Sequence, residues 1–248
     1  MDMGAQIRAS HAAEVALALA PQVSDPALVA GMHRSVARTL LAEGRIAEAD
    51  TSIAKAQELY QQLRLRLRLR TELAHCHWMR GYVHAQHGDL EDAERELRVA
   101  HGTLAARRAS LYTAQVEVEL ADVLRRRGRH EEAQELLARL LDLSDERGMV
   151  HTAGAHRLLG LIAEDRGDLA TAERHYDSAL VLLERSGAAG DLADLCRLRG
   201  DLLRRTGRTE AALDAYRTGL GHRATPGTTT LGPGPEHPPL RAFHGPMT

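Results

Sequence analysis

Along most of the chain apolar side chains return every three or four positions. After Gly128, residues Ala133, Leu136, Leu137, Leu140 and Leu141 fall at i, i+3, i+4, i+7 and i+8, which places them on one face of a helix. One short phrase punctuates such segments five times: Gly44-Arg-Ile-Ala-Glu-Ala49, Gly88-Asp-Leu-Glu-Asp-Ala93, Gly128-Arg-His-Glu-Glu-Ala133, Gly167-Asp-Leu-Ala-Thr-Ala172 and Gly207-Arg-Thr-Glu-Ala-Ala212. Its glycines stand 44, 40, 39 and 40 residues apart, a period that marks stacked units, none of which can bury its apolar face alone. A glycine directly after an apolar-periodic segment can take the left-handed conformation that ends a helix. Asp89 and Asp168 follow their glycines and can accept hydrogen bonds from the free amides of a new first turn. Each phrase therefore predicts a tight turn between two antiparallel helices.

Gly81, Gly160 and Gly200 each lie seven residues before a turn glycine, with Ala37 and Ala121 in the other units. Small residues there, opposite the alanine five after each turn glycine, are expected to let two helix backbones approach closely. Leu159-Gly160, Gly167, Ala172, Tyr176 and Ala179, and again Gly200, Gly207, Ala212 and Tyr216, give the chain a resemblance to the tetratricopeptide repeat family over residues 28 to 220. The other three units carry Ile53, Leu97 and Leu137 in place of the second-helix aromatic, and the family's proline at the unit end is absent throughout.

The resemblance implies an all-α fold, a right-handed superhelical solenoid of five antiparallel helix pairs. The expected pairs are 28–43 with 46–63, 69–87 with 89–107, 110–127 with 129–147, 150–166 with 168–186, and 189–206 with 208–221. An N-terminal helix near 5–20 is expected to cover the first unit, with Pro21 and Pro26 breaking the chain before the array. Six of the eight prolines lie beyond Arg223, and the reading there is a disordered tail. The expected organisation is thus an N-terminal helix and linker at 1–26, a repeat domain at 27–221 and a Pro/Gly/Thr-rich tail at 222–248.

Composition narrows the function. With 44% hydrophobic and 27% charged residues the chain can fold as a soluble domain, and with so few aromatic residues its core must be mainly Leu, Ala and Val. A net charge of −2 gives no overall pull toward nucleic acid or anionic membrane. Cys76 and Cys196 form no framework pattern and read as free thiols of a reducing compartment. The apolar run Val15 to Ala20, preceded by Glu14, makes neither a signal peptide nor a membrane span, so a cytoplasmic location is expected. Lys55 is the only lysine and asparagine is absent, a usage typical of high-GC bacterial genomes.

Tetratricopeptide arrays typically hold an extended peptide or a helix on the concave surface made by their first helices. Carried over, this selects positions three before and one, four and five after the small residue of each first helix. Arg34, Arg38, Trp78, Tyr82, Arg125, Arg157, Arg197 and Arg204 are the expected ligand-binding set, with Gln86, Asp122, Arg126, Glu164, Asp165, Asp201 and Arg205 beside them. Arginine's planar fork suits carboxylates, so Arg34, Arg157 and Arg197 would hold an acidic protein or peptide segment, with Trp78 and Tyr82 as an aromatic anchor one turn apart. The competing reading is a solvated face in which arginines pair with Asp122, Glu164 and Asp201.

Two further clusters carry candidate chemistry. His75-Cys76-His77 with His84 and His87 is the densest set of metal-ligand types, but no further ligand or supporting partner is evident, and a packed interior pair His77/His84 is preferred; no metal and no cofactor are expected. Leu63 to Arg70 alternates Leu-Arg four times and read alone is a strand; between helical segments it becomes two basic rows, Arg64/Arg68 and Arg66/Arg70. Lacking interleaved aromatics, these read as a solvated corner rather than a nucleic-acid contact. There is no phosphate loop or nucleophile elbow and no catalytic residue stands out, so a non-enzymatic binding protein is expected, with no membrane partner and self-association as an alternative. The segment Leu213 to Pro235 also resembles the end of the repeat region in helix-turn-helix transcriptional regulators of high-GC Gram-positive bacteria. That likeness implies a regulatory sensor or adaptor, although only about 26 residues precede the array here, too few for the DNA-binding domain.

Overall fold

The computed structural model describes residues 3–67, 69–106, 110–143 and 148–221. The expected tail at 222–248 lies outside them, as do the side chains of Arg64, Arg66 and Arg68. Among the described residues every element is helical: α1 Met3–Leu19, α2 Pro26–Ala42, α3 Ile46–Leu67, α4 Arg70–His87, α5 Leu90–Ala106, α6 Ser110–Arg126, α7 His130–Leu143, α8 Met149–Asp165, α9 Leu169–Ser186, α10 Ala189–Arg205 and α11 Thr209–Leu220. Helices α2/α3, α4/α5, α6/α7, α8/α9 and α10/α11 are the five expected pairs. The Leu-Arg alternation stays helical as far as Leu67, because α3 runs past its expected end near 63.

The five turn glycines take φ of 73° to 88°, a region closed to most side chains. The amide after each one returns to the carbonyl five residues back: Arg45, Asp89, Arg129, Asp168 and Arg208 donate to Leu40, His84, Leu124, Ala163 and Leu203, all at 2.9 Å. These bonds satisfy carbonyls that the ending helix would leave orphaned. Asp168 caps α9 by accepting from Thr171 N at 3.1 Å, and Asp25 caps α2 in the same way through Ala27 N at 2.9 Å.

Within a pair, the small residue allows the close approach, but its neighbour differs from the expected one. A Cβ added at Gly81 would lie 2.6 Å from Leu97 Cγ and 3.2 Å from the Ala93 carbonyl, and at Gly160 and Gly200 it would run into the rings of Tyr176 and Tyr216. The residue nine after the turn glycine therefore fills the space, with the alanine five after it contributing backbone. Units with Ala37 and Ala121 have Ile53 and Leu137, not a ring, at that place.

The second helix of each pair packs on the first helix of the next. One buried cluster runs from α4 to α8 and others join the first two and last two units. Ion pairs lock the outer corners. Arg129 and Arg208, directly after their turn glycines, reach back to Glu94 and Glu173 of the preceding unit at 2.8 and 2.7 Å. Arg166, directly before Gly167, reaches Glu131 at 2.7 Å and Gln134 at 2.8 Å. Arg45, with no earlier pair to reach, folds onto its own neighbours Glu43 and Glu48.

Candidate binding groove

The first helices α2, α4, α6, α8 and α10 meet along one face, and side chains from neighbouring units touch there. His75 of α4 stands edge-on to Tyr112 of α6 with ring centroids 4.6 Å apart. His151 Nε2 of α8 and Gln115 Oε1 of α6 are 3.1 Å apart. Arg125 of α6 pairs with Asp165 of α8 at 3.2 Å, and Arg205 of α10 pairs with Glu164 of α8.

The expected binding residues fall into three states. Tyr82 and Arg125 are buried, at 6% and 8% exposure. The Tyr82 ring belongs to the core between the first two units, and burial pushes its hydroxyl well above the usual phenol range. Arg125 is neutralised by Asp122 at 3.3 Å as well as by Asp165, since a buried guanidinium needs carboxylate partners. Arg197 is half-buried and paired with Asp201 at 3.1 Å, while exposed Arg204 stands by the Tyr216 hydroxyl. Arg34, Arg38 and Arg157 have no carboxylate partner among the described residues. Arg34 is half-buried beside the Tyr60 hydroxyl, and Arg38 is exposed. Trp78, half-buried, packs against two of the core clusters, and its indole N–H has no hydrogen-bond partner among the described residues.

The position rule left out the residue six before each small one. That row brings in His75 and Gln115, whose contacts form the floor of the face, and alignment of the units on their turn glycines would have found it. Burial, together with the charges of Arg34 and Arg38, holds the His75 imidazole below its usual range, against the opposing charge of Glu72; both its ring nitrogens lack partners among the described residues. Gln115, 5% exposed, donates from Nε2 to Glu119 at 2.9 Å. Burial, reinforced by the Asp122 carboxylate, pushes Glu119 up to about 8, against the Gln115 hydrogen bond and the Arg157 charge; Asp191, itself 6% exposed, adds to the rise. The face is thus polarised, cationic and aromatic at α2 and α4 and carboxylate-rich at α6.

The other candidate chemistry is accounted for by packing. His77 Nδ1 lies 2.6 Å from Glu96 and His84 Nδ1 lies 3.8 Å from Asp89, and no group of three or more His, Cys, Asp and Glu suited to a metal occurs among the described residues. Cys76 and Cys196 are buried free thiols. Burial pushes Cys76 up to about 12 and raises Cys196 as well, which keeps both protonated and poorly nucleophilic. No helix among the described residues is long and apolar enough to cross a membrane.

Two family models, each described as Tetratricopeptide repeat, match residues 112–180 and 74–98. These two stretches are similar to tetratricopeptide repeats. Its fold is similar to the crystal structure of BtubC (BKLC) from P. vanneervenii, with a TM-score of 0.62 at 18% identity over 88% of this chain and 90% of that one. No curated protein matches it in sequence. Tetratricopeptide repeats generally mediate protein–protein interaction, which supports a binding repeat domain.

Proposed function

We propose that the domain recognises an acidic peptide or protein segment on the face formed by its first helices, and that it serves as a cytoplasmic regulatory sensor or adaptor linked to transcriptional control. The observation that carries the choice of ligand is the difference among the concave arginines. Arg125 and Arg197 already hold carboxylates, whereas Arg34 and Arg38 hold none among the described residues and stand near His75 of α4. A carboxylate arriving there forms charge-assisted hydrogen bonds without displacing an internal carboxylate. Trp78 supplies the apolar anchor and an indole donor in need of an acceptor. Arg157 offers a further cation along the face, while Arg125 on α6 is already held by Asp122 and Asp165, so the acidic residues sit at the α2/α4 end.

The test is binding of acidic and charge-neutral peptide libraries to the wild-type chain, to an Arg34→Glu/Arg38→Glu variant and to an Arg197→Glu variant. The double reversal is expected to weaken acidic peptides tenfold or more with an unchanged melting temperature, and the Arg197 change to matter less. Added salt should weaken the wild-type complex. Acidic peptides bound equally by the wild type and the double variant would sink the reading.

A further inference from the structure

Both ends of the array present apolar surface of a kind that the inner units cover. At the N-terminal end a trough of about 440 Å³ opens between α1 and α2, floored by the small side chains of Ala13, Ala16, Gly31 and Ser35 and walled by Leu28 and Met32. Leu28 is 55% exposed. At the other end α11 carries Leu213 and Leu220 two turns apart on one stripe, 41% and 85% exposed.

The inner units show what this stripe is for. Six residues after their turn glycines, Glu94 and Glu173 receive an arginine of the following unit; Leu213 holds that place after Gly207. Thirteen residues after Gly88, His101 meets Glu117 of the following unit at 2.9 Å; Leu220 holds the corresponding place in α11. The last unit thus turns outward the face by which its predecessors stack, with leucine where they have polar contacts.

We infer that this face is taken up by a second copy of the chain, the α11 ridge of one molecule lying in the α1/α2 trough of the next, so that the repeat stack continues from molecule to molecule. A trough floored by small residues lets a helix approach at the close spacing seen inside the pairs, with its leucines as knobs between Leu28 and Met32. Asp214 and Arg217, which flank the stripe, pair with each other at 3.1 Å, so the ridge demands no charge from an apolar trough. The contact is heterologous, using a different patch on each partner, and therefore does not stop at two molecules unless a ring closes. It is independent of the ligand proposed for the groove, and its test reads mass rather than peptide binding.

The experiment is light scattering and sedimentation of the full chain across a wide concentration range, with Leu28→Asp and Leu220→Asp variants. Both side chains are largely exposed, so neither change threatens folding, and circular dichroism checks this. The wild-type mass should climb with concentration beyond that of a dimer, and either substitution should raise the concentration needed by about tenfold or more. An equimolar mixture of the two variants retains one intact ridge and one intact trough, and should form a heterodimer that grows no further. A wild-type chain that stays monomeric overturns the inference. So does a dimer lost in Leu220→Asp but untouched in Leu28→Asp, which would mean that ridge packs on ridge.

Discussion

The second unit, α4/α5, and the fourth, α8/α9, share a frame and differ in the chemistry set into it. Both begin their close approach at a glycine, Gly81 or Gly160, but the facing side chain is Leu97 in one and the ring of Tyr176, 0% exposed, in the other. Both carry a glutamate six residues after the turn. Glu94 is 6% exposed and collects Arg98, Arg127 and Arg129, whereas Glu173 is more open and pairs with Arg208. Both join their helices by a polar pair four before the small residue and eight after the turn glycine. That pair is His77 with Glu96 at 2.6 Å in the second unit and His156 with His175 at 3.1 Å in the fourth. The lesson is that turn glycine, small residue and apolar stripe suffice to set the frame, while the polar pairs that tune it vary from unit to unit.

The largest expected effect lies at the close approach. Gly160→Ala drives a Cβ into the rigid Tyr176 ring, whose hydroxyl is tied to Glu164, and should destabilise by roughly 2–3 kcal/mol through overpacking, even though alanine is the better helix former. Gly81→Ala should cost less, because Leu97 has rotamers to change. Adding Tyr176→Leu to Gly160→Ala recreates the Ala121/Leu137 combination of the third unit and should recover at least half the loss in a urea melt. No recovery would mean that the ring is not what the glycine makes room for.

The corner carboxylates come next. Glu94→Gln leaves three guanidinium groups around a site with little solvent and should cost about 2 kcal/mol. Glu173→Gln breaks one partly solvated pair and should cost under about 1 kcal/mol. Equal losses in the two chemical melts would erase the distinction between buried and open corners.

Much of the fold was legible because its determinants are local. The left-handed turn needs Gly44 or Gly167 at one place, and the apolar stripe of α7 is written in five residues of that helix. Contacts across the stack were not legible to the same degree. Arg125 looked like a groove cation because only one of its two carboxylate partners, Asp122, is local, the other, Asp165, lying 40 residues away, and Tyr82 looked like a groove aromatic although its ring is turned into the core. Glu119 carried no signal of its own, since its environment comes from Gln115 on its own helix and from Asp191 two units on. Under the 39-residue offset between Gly128 and Gly167, Arg125 aligns with Glu164 and Asp165 lies one place further, so the repeat by itself does not pair them.

The effect of pH is the most specific to the comparison. Burial lowers the pKa of His156, which the charge of His175 lowers further, and burial with Arg174 lowers that of His175. The folded chain therefore takes up these protons less readily than the unfolded chain, so this pair's contribution is complete above about 6.5 and is lost as the pH falls below it. In the second unit, against burial, the His77 hydrogen bond and charge hold the Glu96 carboxyl below its usual range, so that its contribution persists down to about 4.5 and is lost only below it. Between pH 7.5 and 5.5 the contribution of the His156/His175 pair should fall while that of Glu96 does not. His33, His75 and His151 are lowered by burial too and add to the same slope, so the informative quantity is a difference between chains. His175→Glu places a carboxylate opposite His156 and turns the fourth unit's pair into the second unit's. It should remove about 1 kcal/mol of the acid-side loss, the worth of one hydrogen bond, when stabilities at the two pH values are compared with wild type by urea denaturation. An unchanged drop would place the pH dependence in the other histidines and show that imidazole paired with imidazole behaves here no differently from imidazole paired with carboxylate.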